Sequence, residues 1–255
     1  AAIEVGDWDR AEQQLDRSRA VSMETGLLNA LGSALFLRAQ LAALRGQVDL
    51  ATRLLDGIDA AAGVVMVDTS ARALAALAAG DLHTAADRFR TFWDHAANHR
   101  LTNWAPGRVT FGSEAVDVLL RVGDRSSAEL IAAEIHRRAD LGRDPLARAE
   151  AARVDGVLGG TDDADPSACF RSGLTHLEAR PHAFARARLL LCLGEAERRA
   201  GRTAAARTIL TEARAGFEAL GARPWLERAT TELRAAGARR RSSSTPVDAL
   251  TDRER

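Results

Sequence analysis

The sequence predicts an all-α chain folded as a superhelix of about six helical hairpins. Three observations lead there. Alanine makes up about a fifth of the 255 residues and aromatic residues only 4%, a composition suited to slender helices packed closely together. Five glycines, Gly6, Gly46, Gly80, Gly123 and Gly201, recur in order, and a degenerate unit around Gly159 and Gly160 fills the one wide gap. The chain also lacks the alternating apolar pattern that a half-buried strand requires.

Each of the five glycines has an alanine five residues on (Ala11, Ala51, Ala85, Ala128, Ala206). A large apolar residue follows: Leu15, Leu55, Phe89, Ile131 and Leu210. A helical hairpin needs this order. Glycine supports the left-handed conformation that ends one helix, and the next residue (Asp7, Asp81, Asp124) caps the following one. The alanine lets the two helices approach, and the apolar residue one turn later fills the groove between neighbouring hairpins.

The elements follow along the chain. A helix over 8–25 opens behind Asp7, and a leucine- and alanine-rich helix over 27–45 ends at Gly46. The helix over 48–60 carries Ala51 and Leu55. Residues 68–79 end at Gly80, and 82–98 open behind Asp81. Residues 110–122 follow Pro106 and end at Gly123, and 125–141 open behind Asp124. The remaining helices, 144–158, 166–179, 182–200, 203–220 and 224–236, have Pro145, Pro166, Pro181 and Pro224 at or near four of their starts, where a missing amide hydrogen is harmless. Two irregular loops interrupt them, His99 to Gly112 and Gly159 to Pro166. After 1–236 comes a basic, serine-rich linker over 237–249, and then 250–255.

The period and the turn chemistry match the tetratricopeptide pattern, whose period is about 34. The expected fold is therefore an α-solenoid, a right-handed superhelix of about six tetratricopeptide-like hairpins. "LCLGEAERRAGRTAAARTILTEA" is the nearest match to that pattern.

Composition excludes several chemistries. All 35 basic residues are arginine. Without lysine the chain supplies neither the phosphate-gripping residue of a Walker A loop nor a Schiff base. A formal charge of zero gives no general field for a polyanion, so neither specific DNA binding nor membrane association is expected. No signal peptide is visible from Ala1 on, and the chain reads as a piece of a longer protein, expected to be cytoplasmic. Cys169 and Cys192 lack metal spacing and are expected as buried free thiols. His95 and His99 stand four apart beside Asp94, but sequence fixes no third ligand, so no metal is expected. No local nucleophile signature such as G-x-S-x-G is present, and no catalytic residue is assigned.

From Pro181 to Arg241 the run "PHAFARARLLLCLGEAERRAGRTAAARTILTEARAGFEALGARPWLERATTELRAAGARRR" resembles the end of the helical-repeat region in the large ATP-binding, MalT-like regulators of the LuxR family. "LTDRER", Leu250 to Arg255, is similar to the start of a LuxR-type helix-turn-helix domain, which commonly begins Leu-Thr-x-Arg-Glu. A looser likeness extends to "SEAVDVLLRVGDRSSAELI". The resemblance implies an N-terminal signal-transducing ATPase that binds ATP, a central helical sensor, and a C-terminal DNA-binding domain. This chain would hold the middle part, with no cofactor of its own. Its partners would be a small-molecule inducer or a regulatory protein and the other domains of the parent, with self-association as a further option.

In such a superhelix the first helix of each hairpin lines the concave face. Positions six and ten before the turn glycine give Gln40, Leu74, Asp117 and Glu195, and Phe36, Ser70, Ser113 and Leu191, with Arg188 further back; the polar members, with Phe36, are the candidates. Trp104 joins this candidate ligand or partner groove as an aromatic residue in a long loop. Trp93 and Trp225 are expected in the packing. The expected function is that of a sensor domain. The alternatives are a protein-protein scaffold without ligand and, third, an enzyme on a helical scaffold.

Overall fold

The computed structural model describes residues 2–62, 65–98, 107–141, 144–159, 165–180 and 182–237. Among them it contains helices and no strand: α1 (Ala2–Val5), α2 (Trp8–Thr25), α3 (Leu28–Leu44), α4 (Val48–Ala62), α5 (Val65–Ala78), α6 (Leu82–Asn98), α7 (Gly107–Arg121), α8 (Arg125–Leu141), α9 (Pro145–Leu158), α10 (Pro166–His176), α11 (Ala183–Arg199), α12 (Thr203–Leu220) and α13 (Arg223–Gly237). Sequential helices pack in neighbouring pairs, as an α-solenoid does. Trp104, His99, the linker from 238 on and the segment 250–255 lie outside the described residues.

The recurring turn has one geometry. Gly46, Gly80, Gly123 and Gly201 have φ between 75 and 83°, and Gly6 has 98°. At Gly46 the amide of Gln47 reaches back to the Ala42 carbonyl at 2.8 Å, and the same bond recurs from Asp81 to Ala76 and from Asp124 to Leu119. Such a closure satisfies carbonyls that the helix end would leave bare. Asp7, Asp81 and Asp124 then accept from the amides of Arg10, Thr84 and Ser127 at 3.0 to 3.3 Å, capping the next helix. All five aligned alanines are buried, and Leu55, Phe89, Ile131 and Leu210 are buried beside them, whereas Leu15 in the first hairpin is only partly buried.

Small residues set the distance between paired helices. A Cβ placed on Gly194 of α11 would lie 2.5 Å from Leu210 Cγ on α12, and one on Gly156 of α9 would lie 2.4 Å from the Phe170 ring on α10. Several boundaries differ from the sequence expectation. α5 and α7 each begin three residues early, and α10 ends at His176 because the Leu177 amide turns back to the Leu174 carbonyl at 3.0 Å and tightens the chain into a turn. The four-residue α1 is too short for periodicity to reveal. Cys169 is only partly buried and Cys192 is buried, which corrects the expectation of two buried thiols: α10 buries Ser167, Phe170 and Gly173, and Cys169 is not among them.

The first and last hairpins meet. The Trp8 ring on α2 lies tilted against Phe184 on α11, centroids 5.6 Å apart, and Phe184 makes an edge contact with Trp225 on α13 at 5.1 Å. Gly6 comes so near α11 that an added Cβ would stand 2.6 Å from Ala183 Cβ, while Gly46 packs on Pro224. One core cluster consequently runs from Trp8 to Ala236. Trp93 packs edge-on to Phe92 at its margin.

Candidate functional site

Closure of the chain on itself buries the helices that sequence placed on the inner face. Every residue of α7 from Phe111 to Leu119 is buried, although the helix carries Ser113, Glu114 and Asp117. Polar groups surrounded on all sides need partners from several neighbours. They find them on α9, α11 and α13.

Two linked ionic groups result. In the first, Ser113 donates to Glu150, Arg153 Nε donates to Glu150 Oε2 at 3.1 Å, and Arg188 Nη1 lies 2.6 Å from Glu114 Oε1. All four charged side chains are at most 4% exposed. Burial pushes the Glu114 carboxyl up, against the pull of Arg188 and Arg153. Burial and the neighbouring Arg153 lower the Arg188 guanidinium. Both Nη atoms of Arg153 and Glu150 Oε1 are buried without a hydrogen-bond partner among the described residues. The quartet thus has hydrogen-bonding capacity left over.

The second group is a clasp centred on Arg228 of α13. Its Nε and Nη2 donate to the two oxygens of Glu195 on α11 at 2.8 and 3.0 Å, and its Nη1 donates to Asp117 Oδ2 on α7 at 3.1 Å. A two-pronged bond of this kind fixes direction as well as distance. Burial works against the Asp117 carboxylate, but Arg228, Arg153 and Arg188 overcome it and hold its pKa below the ordinary value. Arg199 adds a bond from Nη2 to Glu195 at 3.0 Å, and Arg121 stands 3.9 Å from Asp117.

The clasp forms part of the wall of a cavity of about 490 Å³. Asp117, Arg121, Glu195, Arg199, Arg228 and Glu232 give it a charged lining, and Leu120, Gly156, Val157, Phe170 and Cys192 complete it. Burial raises the Cys192 thiol, so it stands there as a neutral group.

The candidate residues therefore divide. Asp117 and Glu195 line the cavity, and Ser113 and Arg188 belong to the ionic quartet beside it. Phe36 packs with Leu35, Ala39, Leu55, Ile58 and Ala71 in a separate apolar cluster between α3, α4 and α5. Gln40 and Ser70 are buried on α3 and α5, away from the cavity. Sequence reasoning missed Glu114, Glu150, Arg153 and Arg228. One of them was within reach: six residues before Gly159, the offset that gave Asp117 and Glu195, stands Arg153.

Among the described residues no group of three histidine, cysteine or acidic side chains is placed to hold a metal ion, and no helix is long and apolar enough to cross a membrane. Comparison with the models of known protein families finds no match. A search of curated proteins finds none either.

Proposed function

We propose that this chain is the sensor and regulatory repeat domain of a cytoplasmic LuxR-family transcription regulator. On this reading its hairpins are tetratricopeptide-like and coil into a right-handed superhelix of about six. A small inducer, or a regulatory protein, binds it, and the bound state is relayed to an ATP-binding domain and a DNA-binding domain of the parent protein.

The observation that carries the reading is the position of Arg228. It ties α13 to α7 and α11 across the wall of the cavity. A ligand entering there competes for the groups that hold the last helix, and α13 leads directly into the basic linker and the Leu250–Arg255 segment. A ligand shifts such an equilibrium only through different affinities for the two states, and a clasp that it must open or tighten supplies that difference.

A thermal-shift screen of metabolites on residues 1–255 tests this. The expected result is a compound that shifts the melting temperature in the wild type and shifts it less in Arg199→Gln, because Arg199 lines the cavity yet is largely exposed. A screen without any such compound overturns the small-inducer form of the proposal. Reading the complete gene checks the rest: a Walker loop upstream and a helix-turn-helix beyond Arg255 are expected.

A second reading has one observation in its favour. Val21, Met23, Leu27 and Leu28, at the join of α2 and α3, are each at least half exposed. Apolar side chains grouped in this way suit a protein partner, as in a scaffold without ligand. Replacement of Met23 and Leu27 by Ser would abolish such docking and leave metabolite shifts untouched.

A further inference from the structure

The cavity has a lining of unusual balance. Three carboxylates, Asp117, Glu195 and Glu232, stand with three guanidiniums, Arg121, Arg199 and Arg228. The formal charges of the lining therefore cancel, and neither a free anion nor a free cation is favoured by net charge. The rest of the lining, chiefly Leu120, Val157 and Phe170, is apolar. A volume of about 490 Å³ lies within the range of small-ligand sites.

The clasp restricts what can enter among these charges. Asp117 and Glu195 have side chains only 11% and 5% exposed, and both depend on Arg228. An anion that took Arg228 for itself would take from buried Asp117 the guanidinium that hydrogen-bonds it and leave buried Glu195 to Arg199 alone, and a cation that took the carboxylates would strand the guanidinium. Uncompensated buried charge is strongly unfavourable. A molecule carrying both signs replaces each broken contact with a new one. The outer arginines offer donors for its negative end: Arg199 bonds Glu195 through Nη2, and Arg121 stands beyond hydrogen-bond distance of Asp117.

We propose that the cavity binds an amino-acid-like zwitterion with a large apolar side chain, either a free amino acid or a short peptide. Its ammonium group lies among Asp117, Glu195 and Glu232, its carboxylate lies on Arg199, Arg121 and Arg228, and its side chain lies along Leu120, Val157 and Phe170. This rests on the sensor reading above and names the ligand class for that same site.

Calorimetric titration of residues 1–255 provides the test. The zwitterionic probes are L-leucine, L-phenylalanine and L-leucyl-L-phenylalanine. The single-charge controls are 4-methylpentanoate, 3-phenylpropionate, 3-methylbutylamine and 2-phenylethylamine. At least one zwitterion is expected to bind about tenfold or more tighter than the controls that lack one of its charges. Binding by the dipeptide alone assigns short peptides, and binding by a single residue assigns free amino acids. Arg199→Gln is expected to weaken binding about fivefold or more without lowering the melting temperature, since Arg199 is largely exposed. Equal binding by a carboxylate or an amine, unchanged affinity in Arg199→Gln, or no zwitterion binding up to roughly 10 mM overturns the proposal. If the zwitterions stay silent while another metabolite shifts the melting temperature, this inference fails and the sensor reading stands.

Discussion

Replacing Gly194 by Ala sets two effects of known size against each other. Alanine is favoured over glycine in a helix interior by about 1 kcal/mol. The new methyl, however, would sit 2.5 Å from Leu210 Cγ and 2.6 Å from its Cδ2, where carbon atoms pack at about 3.5–4.0 Å. Cγ is a branch point of a fully buried side chain, so it gives way only by leaving its rotamer or by a shift of α12. Overpacking of that kind costs about 1–3 kcal/mol, which outweighs the propensity gain or at least matches it, for a net loss of about 0–2 kcal/mol. The decisive comparison adds Leu210→Ala. That change alone destabilises by about 2–5 kcal/mol through lost burial and the cavity left behind. In the space so created the methyl introduced by Gly194→Ala meets no obstruction, and the same substitution becomes stabilising by about 1 kcal/mol. Urea unfolding of the four proteins in the cycle measures both signs. Gly194→Ala that stabilises the wild-type background, or that acts equally in both backgrounds, refutes the close approach of α11 and α12 at this glycine.

Three further outcomes follow from the same packing and charges. Arg188→Met removes one partner of the buried Glu114 pair and should destabilise by about 3–5 kcal/mol, whereas Arg188→Met with Glu114→Leu should recover much of that loss; a double variant no more stable than the single one contradicts the pairing. Ala206→Leu should cost about 1–3 kcal/mol at a fully buried site, while Ala235→Leu, exposed on α13, should stay within about 0.5 kcal/mol in urea unfolding. His136 Nε2 lies 2.9 Å from Asp155, and that hydrogen bond raises the imidazole above its ordinary 6.5 against the opposing effect of burial. Its folded pKa exceeds its unfolded one, so the stability it adds is fully present below about 6.5 and disappears as pH rises through the folded value. The stability gap between wild type and His136→Gln should therefore narrow on going from pH 6 toward pH 8, and a widening gap contradicts the assignment.

Much of the fold was legible because the information is local. A glycine at the turn, an aspartate behind it and an alanine one turn later each act within a few residues, and the structure finds them in the roles assigned. Arg153 was also legible in principle, but the unit ending at Gly159 has Ser167 and Ala168 where the others carry a large apolar residue, and this hid its equivalence to them. The clasp was not legible. Asp117 and Arg228 are 111 residues apart, and their meeting depends on small rotations accumulated over successive hairpins, which no single repeat encodes. The same accumulation brings Trp8 to Phe184 and leaves Phe36, Gln40 and Ser70 away from the cavity, although they share sequence offsets with residues that adjoin it.

Amide hydrogen exchange of α13 tests most directly the claim that cavity occupancy is relayed through Arg228. A ligand found in the metabolite screen is added to residues 1–255, and exchange is followed by peptide across 223–237, with α4 to α6 as the internal reference. The account predicts that ligand changes exchange in α7, α11 and α13 together, that the effect on α13 is selectively lost in Arg228→Lys, and that α4 to α6 are unaffected. Protection confined to α7 and α11 with α13 unchanged, or the same response of α13 in Arg228→Lys, would contradict it.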